Sequence, residues 1–452
     1  MKIVIVGGGK IGAALVGELS GENHDITVVD AKSEVVQGLV NNYDVLGVIG
    51  NGGSYNVLVE AGVETADIII AVTDSDELNL LCCLIAKKAG RCETVARVRN
   101  PVYFDEIGFI KEELGISIVL NPERAAAREI AGMLRFPNAM EVNRFSKGRI
   151  EMLKYRIHEE SIVNGMTLVD IQERLHCDIL ICAVERNKNL VIPTGGFALE
   201  ARDIIYFVAP QEHAMDFFQK VGEKESQVHD VMIVGGSKTA FYLSQMLNAS
   251  GIDVKIIDQN IKRCEELSDQ LQKAMVICGS GMDKDVLMEE GLMDADAFIS
   301  LTNFDEENIF MSLYVQSQTN VKLITKVKKL NYTEMIEKLD LGSMIYPEYL
   351  TAQYIVQYIR AKQNTIGSNI ENLYKIMDGR AEALEFKIQK ESPVIGTPIS
   401  QLPIINNLLI CAIYRNGKGR IPNGNDTIQL DDNVVVVTTK KGLHDIKDIL
   451  AK

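Results

Sequence analysis

The stretch KIVIVGGGKIG, residues 2–12, decides how the rest of the chain is interpreted. Residues 3–6 are apolar and β-branched, and they predict a short buried strand of a parallel sheet. Gly7, Gly9 and Gly12 then form a G-x-G-x-x-G pattern, and apolar residues spaced four apart predict a helix after it. A second apolar run ends at Asp30. Strand, turn, helix, strand and terminal acid together supply the context that makes this pattern informative.

Each glycine of the pattern has a physical role in binding a dinucleotide. Gly7 permits the tight turn after the strand, Gly9 lets the backbone approach a pyrophosphate, and Gly12 lets the helix pack closely on the sheet. The helix N-terminus adds free N–H groups and a positive dipole end. Asp30 accepts hydrogen bonds from ribose hydroxyls, and its charge disfavours the 2′-phosphate of NADP. The stretch predicts an NAD(H) site in a Rossmann-like domain; the alternative is a glycine-rich turn without a ligand.

Composition restricts the function classes open to the chain. Its 452 residues are too many for one hydrophobic core, and its net charge of −15 argues against non-specific nucleic-acid binding. The apolar runs have the length of strands and the chain enters its first strand at once, so we expect no membrane span and no signal peptide. The eight cysteines contain no C-x-x-C pair and the six histidines are scattered, so we expect reduced core cysteines and no metal site.

The region after Asp30 continues as alternating strands and helices. Apolar runs predict about six strands, the size of one Rossmann-like domain, and a crossover helix over residues 121–133. From Glu141 the pattern changes to that of a small α+β domain with a helix at 167–175. Segments of alternating hydrophobicity predict the strands of this domain: 152–157, 179–184 and 204–208. The charged residues 222–227 predict a linker.

The second half of the chain repeats the first. Gly235 follows Gly7 by 228 residues, and Asp258 follows Asp30 by the same interval. A near-constant offset over many positions predicts a tandem duplication. The predicted fold class is therefore α/β, with two Rossmann-like parallel-sheet domains, each followed by a small α+β domain. The predicted boundaries are 1–123 and 228–348 for the Rossmann-like domains, 149–227 and 381–452 for the small domains, and 124–148 and 349–380 for the crossover helices.

The second copy departs from the glycine pattern at its centre. Residues 235–240 are GGSKTA, which places Ser237 where Gly9 lets the backbone approach a phosphate. Ala240 at the third position is tolerated, and Asp258 is retained. Two interpretations stay open: an altered second nucleotide site, or a site kept only for packing.

The repeated glycine-rich stretches with their acids, and the strands that end in Thr73-Asp74 and Thr302-Asn303, resemble the RCK/KTN family. These are ligand-binding modules that regulate potassium channels and transporters, and the likeness covers essentially the whole chain. The resemblance implies a regulatory subunit, not an enzyme, at the cytoplasmic face of the inner or plasma membrane. It implies a separate integral-membrane potassium channel or transporter as partner, NAD(H) or ATP/ADP as ligand, and a homo-oligomer, either a dimer or a tetrameric ring.

The resemblance also assigns nucleotide-binding residues in both modules. In the first module they are Gly7, Gly8, Gly9, Lys10, Ile11, Asp30, Asn51, Thr73, Asp74 and Arg97 or Val98. In the second module they are Gly235, Gly236, Ser237, Lys238, Thr239, Asp258, Gly279, Thr302, Asn303 and Lys326.

Some of these residues have structural alternatives. Asp30, Thr73 and Arg97 follow predicted strands, and ligands bind beyond the carboxyl ends of parallel strands. The alternative for Arg97 is a solvated charge at the rim. Asp74 and Asp76 are expected to cap the following helix rather than to touch ligand. A basic run either faces an acidic partner or phosphate or, as is more common, forms a solvated face; its residues are Lys322, Lys326, Lys328 and Lys329.

Three functions are weighed on these residues. A regulatory nucleotide sensor needs no catalytic group, because a ligand that prefers one conformation shifts the population. An NAD-dependent oxidoreductase needs a positioned acid or base near the nicotinamide, and the lone residues His158 and His176 do not form one. A ligand-free assembly scaffold is the third possibility. The sensor is the function that the sequence favours.

Overall fold

The structure is a computed structural model. It describes residues 1–22, 24–210, 213–222, 227–328, 339, 341–364, 370–377, 379–389, 392–443 and 445–451. Lys329 of the predicted basic run and residues 223–226 of the predicted linker lie outside the described residues. In the part of the chain that is described, every helix is too short or too polar to cross a bilayer.

The first parallel sheet forms because short apolar runs alternate with helices. Its six strands are β1 Lys2–Val6, β2 Asp25–Asp30, β3 Leu46–Ile49, β4 Ile68–Ala71, β5 Glu93–Arg97 and β6 Ile118–Leu120. They lie in the order β3-β2-β1-β4-β5-β6, and every pairing is parallel. The prediction of about six strands is confirmed. The chain reverses its direction of progress across the sheet between β1 and β4, which is where such sheets bind ligands.

The helices of this region cover the sheet and lead out of it. They are α1 Lys10–Leu19, α2 Ser33–Asn42, α3 Tyr55–Glu60, α4 Asp76–Ala89, α5 Pro101–Asp105, α6 Ile107–Leu114 and α7 Pro122–Arg135. The apolar face of α1 is buried at Ile11, Leu15 and Leu19, as the spacing of four predicts. The predicted crossover helix at 121–133 is α7.

The second parallel sheet has the same topology. Its strands are β12 Asp230–Val234, β13 Asp253–Asp258, β14 Met275–Cys278, β15 Ala297–Ser300, β16 Lys322–Lys326 and β17 Ser343–Ile345. They lie in the order β14-β13-β12-β15-β16-β17, again all parallel. The accompanying helices are α10 Lys238–Ala249, α11 Ile261–Gln270, α12 Lys284–Glu289, α13 Asp305–Gln318 and α14 Pro347–Asn364.

The two small domains are five-stranded antiparallel sheets. The first contains β7 Glu141–Phe145, β8 Ile150–Arg156, β9 Leu180–Arg186, β10 Asn189–Val191 and β11 Ile204–Pro210, with helices α8 Leu168–Leu175 and α9 Ala214–Lys220. The second contains β18 Ile370–Ile376, β19 Ala381–Lys387, β20 Leu408–Arg415, β21 Lys418–Arg420 and β22 Asn433–Thr438. Their strand orders, β10-β9-β11-β8-β7 and β18-β19-β22-β20-β21, correspond when one is read backwards.

The predicted strands 152–157, 179–184 and 204–208 are β8, β9 and β11, and the predicted helix 167–175 is α8. The edge strands β7 and β10 were not predicted, because neither has a continuous buried face. The fold class is confirmed: two parallel-sheet α/β regions, each followed by an antiparallel-sheet domain.

The chain divides into two compact units, each of which contains sheets of one type. One unit contains residues 1–131 and 229–356, with both parallel sheets, and the other contains 132–228 and 357–452, with both antiparallel sheets. The division falls inside α7 and α14. The individual domain boundaries given above stay predictions.

An identical ion pair fixes each small domain. Arg186 donates to both carboxylate oxygens of Asp203, at 2.8 and 2.6 Å, and Arg415 donates to both oxygens of Asp432, each at 2.7 Å. Both carboxylates are buried, so the bidentate geometry compensates for the lost hydration of the charges. Asp432 follows Asp203 by 229 residues, so the duplication preserved this contact.

Candidate functional sites at the two parallel sheets

The predicted residues of the first module meet at the carboxyl edge of the first sheet. Gly7 follows β1, Asp30 ends β2, and Arg97 ends β5. Asn51 and Thr73 each lie two residues beyond the ends of β3 and β4. We call the space above this edge the first crevice. The topology alone brings these residues together, because parallel strands end at the same side of a sheet.

The three glycines of the fingerprint have different surroundings. Gly7 has φ of +102°, and a Cβ there would lie 2.9 Å from the backbone nitrogen of Thr73. A Cβ at Gly12 would lie 1.9 Å from the carbonyl oxygen of Gly7, so the helix and the turn touch. A Cβ at Gly9 would meet no atom within 4 Å. Packing therefore requires glycine at the first and third positions, whereas the second borders open space.

Asp30 is held in place by the backbone. Its Oδ2 accepts a hydrogen bond from the N–H of Gly8 at 2.8 Å, and its Oδ1 accepts one from the N–H of Lys32 at 2.9 Å. A carboxylate has about four acceptor positions, so each oxygen keeps capacity for another donor. These two hydrogen bonds thus orient the carboxylate at the loop that follows β1.

The N-terminus of α1 has no side-chain cap and no acidic residue of its own. Gly9 is the N-cap residue without a side-chain hydrogen bond, and the first turn contains no acidic residue. The first N–H groups of a helix have no acceptor within the helix, and the dipole makes this end positive. Lys10 adds a half-exposed ammonium group. This end of α1 is therefore suited to a phosphate.

A buried asparagine that the sequence analysis missed connects the ends of β4 and β5. The Asn79 side chain accepts from the Thr73 N–H at 2.8 Å and from the Thr73 hydroxyl at 2.7 Å, and it donates to the Arg97 carbonyl at 2.9 Å. Asn308 makes the same set of contacts with Thr302 and Lys326 in the second module. The signal for it was the 229-residue interval between two asparagines inside predicted helices.

Arg97 is not the solvated rim charge considered as an alternative. Its side chain is 12% exposed, its Nη1 donates to the Thr73 carbonyl at 3.2 Å, and it lies 3.6 Å from a carboxylate oxygen of Asp74. Burial lowers the pKa of Arg97 from its usual range.

The prediction that Asp74 and Asp76 cap α4 is wrong, because the N-cap residue is Ser75, whose side chain accepts a hydrogen bond from the N–H of Leu78. Asp76 instead accepts backbone N–H groups that follow β5.

The second crevice repeats much of this geometry. Gly235 has φ of +102°, and a Cβ there would lie 2.8 Å from the carbonyl carbon of Leu301. Asp258 accepts from the N–H groups of Gly236 at 2.6 Å and Asn260 at 2.8 Å. The remaining predicted residues lie on or beside this edge: Lys238 and Thr239 begin α10, Gly279 follows β14, Thr302 and Asn303 follow β15, and Lys326 ends β16.

Ser237 changes the anion-binding end of the second module. It is the N-cap residue of α10, and its Oγ accepts a hydrogen bond from the N–H of Ala240 at 3.3 Å. In α1 no N-cap side chain accepts from the first N–H groups of the helix, whereas in α10 one of these N–H groups already has a side-chain acceptor. The Ser237 side chain also lies where the backbone should approach a phosphate most closely. For both reasons the second crevice is less suited to a phosphate than the first.

The predicted solvated face does not include Lys326. Lys326 is buried, and its ammonium group donates to the Leu301 carbonyl at 3.1 Å. Lys328 donates to the Asn303 carbonyl at 2.9 Å. Burial lowers the pKa of Lys326 to about 8, because the charged form loses hydration. Lys326 therefore contacts the end of β15 from inside the domain, whereas the contact of Lys328 with Asn303 lies at the surface.

The two crevices are connected within their unit through the beginnings of α7 and α14. The amide of Asn121, just before α7, donates to the hydroxyl of Tyr242 on α10 at 3.0 Å. The Nζ of Lys10, in the first crevice, lies 4.0 Å from the Oε1 of Glu348, the second residue of α14. Burial raises the pKa of Glu123, the second residue of α7, and the positive charges of Arg97, Arg99 and Lys238 oppose this rise. Each crossover glutamate is therefore close to a lysine of the other module's glycine-rich loop.

Among the described residues, no group of three or more His, Cys, Asp or Glu side chains is arranged to hold a metal ion. The crevices consist of backbone N–H groups, glycine turns, the acid that ends the second strand of each sheet, and basic side chains; the first also has Asp74 beside Arg97. Backbone N–H donors and basic side chains are the groups that proteins use to bind anionic ligands.

Family comparisons agree with this arrangement. A family model described as the TrkA-N domain matches residues 3–122 and 231–347, and one described as the TrkA-C domain matches residues 152–222 and 383–451. The chain belongs to the TrkA-N/TrkA-C family. The resemblance to RCK/KTN modules inferred from the glycine-rich repeats is thereby confirmed, and the duplication is present in both domain types.

Similar proteins of known name match over nearly their full length. The chain is 30% identical to a Trk system potassium uptake protein TrkA homolog of Archaeoglobus fulgidus, over 99% of this chain and 100% of the relative. It is 29% identical to the Trk system potassium uptake protein TrkA of Vibrio alginolyticus, over 99% of this chain and 98% of the relative.

Solved structures with a similar fold include those of the GsuK channel and its RCK domain. The GsuK RCK domain matches with a TM-score of 0.63 and 17% identity, covering 97% of this chain and 92% of that one. The GsuK channel bound to NAD matches with a TM-score of 0.62 and 17% identity, covering 97% and 77%. GsuK bound to ADP matches with a TM-score of 0.52 and 16% identity, covering 80% and 69%. At these identities the likeness supports the RCK fold alone.

Proposed function

We propose that the chain is a nucleotide-sensing regulatory subunit that gates an integral-membrane potassium uptake channel or transporter of the Trk type. It acts at the cytoplasmic face of the membrane as a peripheral protein. It binds NAD(H), or ATP and ADP, in the first crevice. No step of this function requires bond making or breaking, so the proposal assigns no catalytic residue and does not treat the chain as an enzyme.

The observation that carries the proposal is the open space at Gly9 beside an oriented acid. A nucleotide placed there would meet the free N-terminus of α1 with its phosphates and Asp30 with its ribose. Gly7 and Gly12 are fixed by packing, whereas Gly9 is not, so the glycine at the second position is explained by a ligand. The names of the relatives, which are potassium uptake proteins, support the choice of process.

The proposed ligand contacts follow from position. In the first crevice, Gly7, Gly8, Gly9, Lys10 and Ile11 surround the phosphates, Asp30 binds the ribose, and Asn51, Thr73, Asp74, Arg97 and Val98 border the remaining space. The second crevice offers Gly235, Gly236, Ser237, Lys238, Thr239, Asp258, Gly279, Thr302, Asn303 and Lys326. Because Ser237 occupies one helix N–H, we propose weaker binding there. The solved GsuK structures with NAD and with ADP support both ligand types as candidates.

Gating follows from differential affinity. A ligand shifts a conformational equilibrium only as far as it binds one state better than the other. Lys10 lies close to a proposed phosphate and also close to Glu348 of the second module, so a phosphate in the first crevice competes for this lysine. Homo-oligomeric assembly, as a dimer or a tetrameric ring, would transmit the resulting shift to the membrane partner.

Calorimetric titration of the purified chain with NADH, NAD⁺, ATP and ADP tests ligand binding. We expect saturable heat for at least one nucleotide, and loss of that heat in Gly9→Val with the unfolding midpoint retained. Ser237→Gly, which restores the fingerprint in the second module, should increase the affinity of the second crevice. No heat with any of the four nucleotides would contradict the sensor and favour an assembly scaffold.

Co-purification tests the partner. A tagged chain is incubated with detergent-solubilised membranes, with and without NADH and ATP, and the captured membrane protein is identified. We expect a potassium channel or transporter subunit, retained to a different extent when nucleotide is present. Steady oxidation of NADH by the chain with any substrate, followed by absorbance, would instead favour an oxidoreductase.

A further inference from the structure

Two cysteines meet beside the acid of the second crevice. Cys264 lies on α11 and is buried, whereas Cys278 ends β14 and is exposed. Their thiols are close enough to interact electrostatically, and the Cys264 Sγ lies 3.7 Å from the carbonyl oxygen of the residue before Cys278. We propose that Cys264 and Cys278 form a reversible dithiol/disulfide site that is oxidised by hydroperoxides.

The backbone fixes the position of both sulfur atoms. Cys278 is the parallel-strand partner of Asp258 in the register of β13 and β14. The Sγ of Cys264 lies 3.2 Å from the carbonyl oxygen of Asp258 and 3.7 Å from that of Ile277, the residue before Cys278. The thiol of Cys264 is therefore held at the ends of both strands, within reach of its partner and of the residue that carries the ribose-binding carboxylate.

Packing by itself does not explain sulfur at these positions. In the first module the corresponding residues are Val36 on α2 and Ile49, which pairs with Asp30 in the register of β2 and β3. The two modules have the same strand order, so an aliphatic pair satisfies the same location. The second module has two thiols where the first has two hydrocarbon side chains.

The difference in exposure gives the two thiols different roles. The thiolate of exposed Cys278 attacks one oxygen of a hydroperoxide, so that the O–O bond breaks, a sulfenic acid forms and an alcohol leaves. Cys264 then attacks the sulfenic sulfur, the S–S bond forms, and hydroxide leaves with the Cys264 proton as water. The sum is dithiol plus hydroperoxide giving disulfide, alcohol and water. Burial raises the pKa of Cys264 to about 11, in keeping with its role as the second thiol to react.

Another cysteine pair in the same chain serves as an internal control. The thiols of Cys182 and Cys411 are also close enough to interact electrostatically, but both belong to the buried core between the two antiparallel sheets. An oxidant reaches only exposed thiols of the folded protein. In both pairs the two thiols lie close together, but among the described cysteines only Cys278 is exposed to solvent and therefore to an oxidant.

Peptide mapping of the oxidised native chain tests the site. The chain is treated with hydrogen peroxide, free thiols are alkylated, and the protein is digested with trypsin without reduction. Cleavage after Arg263, Lys273 and Lys284 puts the two cysteines on separate peptides, 264–273 and 274–284. We expect these peptides to be joined, the joint product to lack two hydrogen atoms, and dithiothreitol to separate them. Cys182 and Cys411 should be alkylated only after unfolding.

Two variants keep the experiment decisive. Cys264→Val should leave Cys278 as a sulfenic acid that dimedone traps, without the joined peptides. The double variant Cys264→Val/Cys278→Ile reproduces the first module and should keep the unfolding midpoint while losing all peroxide sensitivity at this site. If oxidation of the parent leaves Cys264 free and carries Cys278 to a sulfinic acid or an intermolecular disulfide, the proposal is overturned.

Discussion

Replacing Asp30 by alanine tests the first crevice most directly. Its carboxylate accepts from the N–H groups of Gly8 at 2.8 Å and Lys32 at 2.9 Å, and in the proposed complex it also accepts from ribose hydroxyls. A hydrogen bond to a charged group contributes about 1.5–3 kcal/mol. Loss of that interaction should therefore weaken NADH binding by roughly ten- to 150-fold, since about 1.4 kcal/mol corresponds to a factor of ten.

The second module supplies the matched control. Asp258 accepts the equivalent pair of N–H groups, from Gly236 at 2.6 Å and from Asn260 at 2.8 Å. Asp258→Ala and Asp30→Ala therefore leave the same kind of backbone donor without an acceptor, and each should lower the free energy of unfolding by about 1–3 kcal/mol. Only Asp30→Ala should change the affinity of the first crevice.

Affinity is measured by calorimetric titration with NADH, and stability by urea unfolding of the same preparations. Equal losses of stability together with a selective loss of affinity in Asp30→Ala would agree with the proposed role of Asp30. The assignment of the first crevice is refuted if Asp30→Ala binds NADH like the parent, or if Asp258→Ala loses affinity to the same extent. Asp30→Asn is a poor substitute for alanine here, because its NH₂ group would face one of the two N–H donors.

Two further predictions concern packing and pH. Gly12→Ala should lower the midpoint of thermal unfolding and abolish nucleotide binding, because its Cβ would lie 1.9 Å from the Gly7 carbonyl oxygen. Gly9→Ala should keep the parent's midpoint, because a Cβ there meets no atom within 4 Å. Equal midpoints for the two variants would contradict the packing argument. Burial lowers the pKa of Lys326 to about 8, below the value of about 10.4 for an unfolded lysine. Between these two pH values the unfolded state binds more protons than the folded state. The free energy of unfolding should therefore rise with pH across this window. Lys326→Met should reduce that rise in urea unfolding measured from neutral pH to about pH 10, and Lys322, whose pKa burial lowers to about 7, should contribute the remainder. An unchanged pH profile would mean that Lys326 is hydrated.

The order of elements could be predicted because it depends on local patterns. Runs of β-branched residues, the period of the helices and the glycine turn at residues 7–12 indicate strands, helices and their alternation without any knowledge of distant contacts. The constant offset of 228 or 229 residues then revealed the duplication. Short edge strands such as β10 were missed, because an edge strand without a buried face has no periodic signal.

The site could be predicted only in part. Glycine identity showed where the turn lies, but it did not show that packing requires Gly7 and Gly12 while Gly9 borders open space. The contacts of Asn79 were not predictable from its own neighbourhood in the sequence, since its partners lie six and 18 residues away at the ends of two strands. Arg97 had two possible environments, and burial against the Thr73 carbonyl decided between them.

The amino-acid sequence by itself determined the fold class, the tandem repeat, the edge of the sheet at which a ligand would bind and the weaker fingerprint of the second module. Tertiary structure alone decided that the two parallel sheets share one compact unit, that Lys10 lies close to Glu348, and that Cys264 and Cys278 meet beside Asp258. The physical reason is distance along the chain. Local patterns specify the backbone of each element, whereas contacts between residues far apart in sequence depend on how the finished elements pack.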